Sequence, residues 1–274
     1  MDWRLIVPGE TGWDAVNWTE AREVRLRPGQ GAAVTLRDGV WHGQCVLSPQ
    51  EILQAAQALT GHALAARQEE LSRGFVPLKG GHRLGVCGVM GPKGFREITS
   101  LCVRLAHEIK GVGKEVYPLL QDASALIIGP PGAGKTTLLR DLIRLYGEHG
   151  VQVGVADERG EIAACRDGTP QLDVGPAADV AGGRDKASAM ILLIRAMAPQ
   201  VIATDELGGP RDAWAVQAAI RCGVTVLATA HGRSRADVRK RLGPLDGAFE
   251  RLVILEKIGQ PPRVEALDGG EAAP

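Results

Sequence analysis

The chain has 274 residues, 45% of them hydrophobic and 23% charged, with 32 basic side chains balancing 32 acidic ones. That make-up is of an ordinary globular protein, and a net charge of zero argues against a dominantly basic nucleic-acid binder. No apolar run approaches the roughly 18 residues that span a bilayer. The opening Met1-Asp2-Trp3-Arg4 does not begin a signal peptide, and five scattered cysteines without a Cys-x-x-Cys pair speak against a disulfide framework or a zinc site. The expectation is a cytoplasmic chain.

Residues 1 to about 115 read as a small α+β domain. Four of the five tryptophans, Trp3, Trp13, Trp18 and Trp41, fall at its start. They suit a local core better than a partner-facing surface, since large aromatic rings contribute most when buried. Short strands are expected at Glu23 to Arg27 and Ala32 to Arg37. Ser48, with Pro49 at the first helical position and Glu51 three residues on, forms a capping box that predicts a helix to Leu59, ahead of Gly61. A second helix is expected from His62 to Leu71. Gly74 to Leu78 and His82 to Val89 read as a hairpin turning at Lys79-Gly80-Gly81, and Ile98 to Leu105 as a β-rich run of broken alternation.

From residue 116 to 274, strands alternate with helices. The expected strands are Ala125 to Ile128, Val151 to Ala156, Val201 to Thr204 and Val224 to Thr229. The expected helices are Lys135 to Gly147, Ala187 to Met197 and Arg211 to Arg221. This order implies an α/β fold whose mostly parallel sheet is covered on both faces. A last short strand and a frayed tail are expected after Gly259.

Gly129-Pro130-Pro131-Gly132-Ala133-Gly134-Lys135-Thr136, followed by Thr137, fits the phosphate-loop pattern G-x-x-x-x-G-K-[ST] between a strand and an amphipathic helix. Backbone N–H groups of such a loop cradle phosphates at the positive end of the helix. Lys135 is then placed for the β- and γ-phosphates of ATP, and the Thr136 hydroxyl for Mg²⁺. The strand Val201 to Thr204 ends in Asp205-Glu206, a metal partner followed by a candidate general base. A second acidic run, Asp157-Glu158-Arg159-Gly160-Glu161, ends the preceding strand on the ligand-binding rim of a parallel sheet. His231 ends the following strand on the same rim, where it could sense the γ-phosphate or orient water. The chain's single asparagine, Asn17, excludes the Asn-Lys-x-Asp motif of guanine-nucleotide switches.

In this order, the phosphate loop, the acidic box 157–161, the arginine helix 193–200, Asp205-Glu206 and Thr229-Ala230-His231 resemble the secretion-type ATPases, RecA-like proteins of type II and type IV secretion and pilus dynamics. Gly74 to Gly88, Ile98 to Arg104, Thr136 to Asp141, Asp157 to Ala163 and Arg195 to Glu206 bring the chain closest to a small sporulation branch of that superfamily. Three departures stand out. Gln200 replaces an acid, Cys102 an asparagine, and Arg159-Gly160 the proline of the secretion enzymes. They leave the base open among Glu206, Glu161 and Glu158, in that order.

The resemblance implies an ATP- and Mg²⁺-dependent motor, assembled as a homo-hexamer. It would work at the membrane through a membrane-protein partner of a secretion or channel complex during sporulation. It also implies that the first domain overlies the nucleotide. Arg104, which ends the run joining the two domains, is therefore favoured as the arginine supplied to a neighbour's site. Arg195, Arg83 and Arg184 are weaker candidates. The alternative is a nucleic-acid-dependent RecA-like ATPase using the basic stretch Arg233-Ser234-Arg235 and Arg239-Lys240-Arg241. Zero net charge favours reading that stretch as a solvated helix face, with no DNA or RNA partner.

Overall fold

In the computed structural model, which describes residues 1–267 other than 11, 68–69, 72–73, 92–93, 121–122, 235, 238–246 and 258, the chain folds as two units. The first ends at His107 and the second begins at Glu108. The segment before Tyr117 belongs to the second unit because its polar groups are spent there. The Gly113 N–H donates to Asp141 Oδ2 at 2.7 Å and Lys110 Nζ to Asp173 Oδ2 at 2.6 Å.

The first unit is an antiparallel sheet in the order β3-β2-β1-β6-β5-β4. Its strands are β1 (Glu23–Leu26), β2 (Ala33–Thr35), β3 (Val40–His42), β4 (Val76–Pro77), β5 (Arg83–Gly91) and β6 (Gly94–Arg104). Helix α1 (Trp3–Ile6) precedes them, and helix α2 (Pro49–Thr60) lies between β3 and β4. The Ser48–Glu51 capping box starts α2, and Gly61 in the left-handed region ends it. Ile52, Ala55, Ala56 and Leu59 form its buried face and share a core with Val24, Leu26, Leu101 and Val103. The four tryptophans pack on one another with centroids 5.3–5.8 Å apart, Trp3 and Trp13 fully within that core.

The broken alternation at Ile98 has a physical cause. Cys87 pairs with Ser100 but Gly88 pairs with Ile98, so Thr99 is an extra residue on β6. The resulting bulge flips the parity at Ile98 and Glu97, and a second shift, between Val89 and Met90, leaves Arg96 as another extra residue; a Cβ on Gly88 would stand 2.0 Å from Glu97 O. The helix expected from His62 does not start there. His62 has φ +60 and its N–H caps α2 through Gln57 O, and the chain enters a 3₁₀ turn at Leu64–Arg67 instead. Residues 68–69 of that expectation lie outside the described residues.

The second unit is a sheet in the order β13-β12-β7-β11-β10-β8-β9, parallel except for the final β12–β13 pair. Its strands are β7 (Ala125–Gly129), β8 (Val153–Asp157), β9 (Ala178–Gly182), β10 (Val201–Thr204), β11 (Thr225–His231), β12 (Arg251–Ile254) and β13 (Arg263–Ala266). Its helices are α3 (Tyr117–Leu120), α4 (Lys135–Glu148), α5 (Lys186–Met197) and α6 (Pro210–Arg221). Strand alternation sorts the apolar side chains between two layers. Leu126, Ile128, Ile202 and Val226 meet α5 and α6 on one face, while Ala125, Ile127, Val155 and Leu227 meet α4 on the other. This is the RecA-like arrangement, with both faces covered. No helix among the described residues is long and apolar enough to cross a membrane.

Candidate active site

Four parallel strands, β7, β11, β10 and β8, bring their carboxyl ends to one rim, where open α/β sheets bind ligands. Register aligns them: His231 pairs with Gly129, and Thr204 pairs with both Ala228 and Ala156. The phosphate loop, the histidine and both acidic segments are therefore neighbours by construction.

The loop turns directly out of β7. Gly129 is packed so closely that a Cβ would lie 2.5 Å from Leu255 O, and Gly134 begins α4 at φ +96, a conformation that side chains resist. The first-turn amides of α4 have no intrahelical acceptor, which makes this end an anion site. Lys135 is buried and folded back, its ammonium 2.9 Å from Gly129 O, 3.0 Å from Pro130 O and 3.5 Å from His231 Nδ1. Burial lowers its pKa below the ordinary lysine value. Thr136 and Thr137 follow in the first turn, both half-buried. A cleft of about 490 Å³ opens beside the loop, lined by Gly129, Pro130, Pro131, His231, Gly232, Arg233 and Asp237.

His231 links the lysine to the acids. Its Nε2 lies 3.0 Å from Glu206 Oε1, and the other carboxylate oxygen of Glu206 accepts from Arg159 at 3.0 Å. An imidazole that donates from Nε2 keeps Nδ1 as an acceptor facing Lys135, so one tautomer satisfies both contacts. Lys135, His231, Glu206 and Arg159 thus form one continuous polar chain.

Asp205 is buried beside this chain, and its Oδ1 has no hydrogen-bond donor among the described residues. Burial pushes its pKa up to about 6, opposed by Lys186 and reinforced by Asp157 and Glu161. An orphaned carboxylate oxygen on the same strand-end rim as the phosphate loop is what a hard cation completes. This oxygen and the Thr136 hydroxyl are the hard oxygen donors that would hold Mg²⁺. No group of three or more His, Cys, Asp or Glu able to hold a metal occurs among the described residues.

The acidic box is divided in its roles. Asp157 is buried, and its carboxylate accepts from the N–H groups of Glu161, Ile162, Ala163 and Ala164 at 2.8–3.3 Å. Arg140 of α4 holds the same loop from the other side through Ile162 O at 2.6 Å and Glu161 O at 2.7 Å. Glu161 is half-buried on this clamped loop, and Glu158 is exposed, 4.0 Å from Lys186 Nζ.

Sequence reasoning missed Lys186 and Arg140. The first is buried, and its ammonium donates to the main-chain oxygens of Asp205 and Glu206. A basic residue one position after the N-cap Asp185 was the available signal, because cations are unfavourable at that helix end. Arg104 and Arg83 belong to the first unit, where they sit opposite each other across β5 and β6. Arg83 lies over the Phe75 ring at 4.6 Å and Arg104 is exposed. Arg184 and Arg195 are exposed in the second unit. Of the basic stretch, Arg235 and 239–241 lie outside the described residues.

The family profile described as "Sporulation stage III, protein AA" matches residues 11–271. The chain belongs to the sporulation stage III protein AA family. It is 36% identical over 267 residues to stage III sporulation protein AA of Bacillus subtilis (strain 168), covering 91% of this chain and 87% of that protein. Among solved structures, this stage III AA protein resembles the pilus retraction motor PilT with bound ADP. The TM-score is 0.62 at 16% identity, covering 92% of this chain and 79% of the motor. It also resembles the Legionella pneumophila ATPase DotB, with a TM-score of 0.58 at 14% identity, covering 88% and 73% of the two chains. At these identities the likeness establishes the fold, an ATPase fold of the secretion type.

Proposed function

We propose that this stage III AA protein hydrolyses ATP with Mg²⁺ and uses the cycle as a motor for a membrane-associated secretion or channel complex during sporulation. The observation that carries the reading is the chain Lys135–His231–Glu206 along the strand ends, beside the donorless oxygen of Asp205. In this reading the loop amides and Lys135 bind the phosphates, and Thr136 and Asp205 hold Mg²⁺. Mg²⁺ held there would neutralise phosphate charge. Glu206 takes the proton of the attacking water, and His231, hydrogen-bonded to it, fixes its carboxylate. The rival bases are Glu161, on the loop held by Asp157 and Arg140, and Glu158.

Arg104 is proposed as the cation supplied to a neighbouring subunit of a homo-hexameric ring, a contribution worth about 10³–10⁵ in rate where it operates. A membrane-protein partner belongs to the same proposal, supported by the resemblance to secretion-type ATPases. Steady-state hydrolysis by the purified protein, run beside Lys135→Ala, tests the assignment. Turnover of ATP that the variant lacks is expected; equal rates in both proteins would refute the pocket.

A further inference from the structure

Lys186 is costly where it stands. It opens α5, in the turn of a helix that disfavours cations, and its ammonium is removed from water. Its hydrogen bonds go to the carbonyl oxygen of Asp205, at 2.8 Å, and to that of Glu206. Asp205 Oδ1 and Glu158 Oε2 lie at 3.8 and 4.0 Å, so the charge is shared among acids without a direct bond to either carboxylate.

The peptide it grips is strained. Glu206 has φ +28, outside the range favoured by side-chain-bearing residues, and such a conformation persists only where its surroundings over-determine it. Two contacts do so. The Glu206 N–H donates to Thr229 Oγ1 at 2.7 Å, and its carbonyl accepts from Lys186. The carboxylate that results points at His231 Nε2.

We propose that Lys186 is a positioning residue for hydrolysis. Together with Thr229 it holds Glu206 in its positive-φ conformation, so that the carboxylate faces His231 and the phosphate loop. This rests on the hydrolytic reading above and adds a residue to it. The role belongs to the chemical step, because the hydrogen bonds and ion pairs of Lys186 among the described residues go to the segments that carry the acids and none to the phosphate loop.

The test compares Lys186→Met and Lys186→Arg with the parent chain. Lys186→Met should lower kcat at least about 30-fold with KM for ATP changed less than threefold, and Lys186→Arg should recover about tenfold of the loss. Turnover by Lys186→Met within threefold of the parent, or a loss carried by KM, would overturn the proposal. Should Lys186→Met fail to fold, Lys186→Gln takes its place under the same thresholds: a loss confined to kcat supports the role, and turnover within threefold of the parent rejects it. Should the parent itself not hydrolyse ATP, the functional reading fails, and a crystal structure of whichever variant folds judges the geometry. Glu206 is expected to leave positive φ and move away from His231 in that crystal; an unmoved carboxylate would end the proposal.

Discussion

Asp205 shows how burial sets the charge of a single side chain. Its carboxyl titrates near 6 in the fold against an ordinary 3.8, so the folded state binds that proton more tightly than the unfolded chain. Stability from this group is therefore fully present below about pH 4 and lost as pH rises through about 6. A two-unit shift is worth at most about 3 kcal/mol. In protein free of nucleotide and metal, Asp205→Asn should match the parent at pH 3 and exceed it by about 1–3 kcal/mol at pH 8, measured by urea unfolding. A stability difference that does not change with pH would show that Asp205 is not the group being protonated.

Much of this site was legible residue by residue. The glycines and lysine of the phosphate loop announce themselves because a phosphate demands backbone donors and the angles that glycine allows. Asp205, Glu206 and His231 follow because they end apolar strands. Lys186 and Arg140 were hidden, since each acts through main-chain carbonyls of a segment distant in sequence. The place of Lys186 at a helix start marks it as unusual, but no local pattern names the carbonyls that either residue holds.

At the scale of elements, the loop 157–164 is the best example of structure made by side chains. Asp157 collects four of its amides and Arg140 two of its carbonyls, so the acidic box is tied to the helix that begins at Lys135. Removing the guanidinium leaves one buried acceptor, Ile162 O, and one half-buried acceptor, Glu161 O, without their donor, at a cost of about 1–3 kcal/mol. Arg140→Met should lower Tm by several degrees, read by thermal melt, and should slow turnover more than it weakens nucleotide binding. Unchanged melting would mean the loop is held by Asp157 alone.

Strands β3 and β9 escaped the sequence reading because they are short and lie near loops or charges, so neither a long apolar run nor clean alternation marks them; β12 was missed although Leu252 to Leu255 is an apolar run like that of β7. Strand β9 is visible only through its parallel pairing with β8. The longer strands and capped helices were legible because burial on both faces, or a capping box, writes a local signature.

At the scale of the whole molecule, the proposed ring makes a demand that a monomeric hydrolase does not. A phosphate loop at a sheet rim leaves the terminal phosphate open on one side, and a neighbouring subunit can supply the missing cation. Arg104→Ala should still bind ATP and still assemble, yet lose at least about a hundredfold in turnover. Sedimentation with ATP and Mg²⁺, run beside the hydrolysis assay, checks both halves. Unimpaired turnover would remove Arg104 from the site, and a species that stays monomeric would remove the ring.

The central claim is that a triphosphate and its magnesium ion lie where β7, β11 and β10 end. A crystal structure of Glu206→Gln grown with ATP and Mg²⁺ tests it most directly. We predict uncleaved ATP with Lys135 turned from the carbonyls of Gly129 and Pro130 onto the phosphates, and the metal between Thr136 and Asp205. ATP bound elsewhere, or a metal that touches neither Thr136 nor Asp205, would contradict the account.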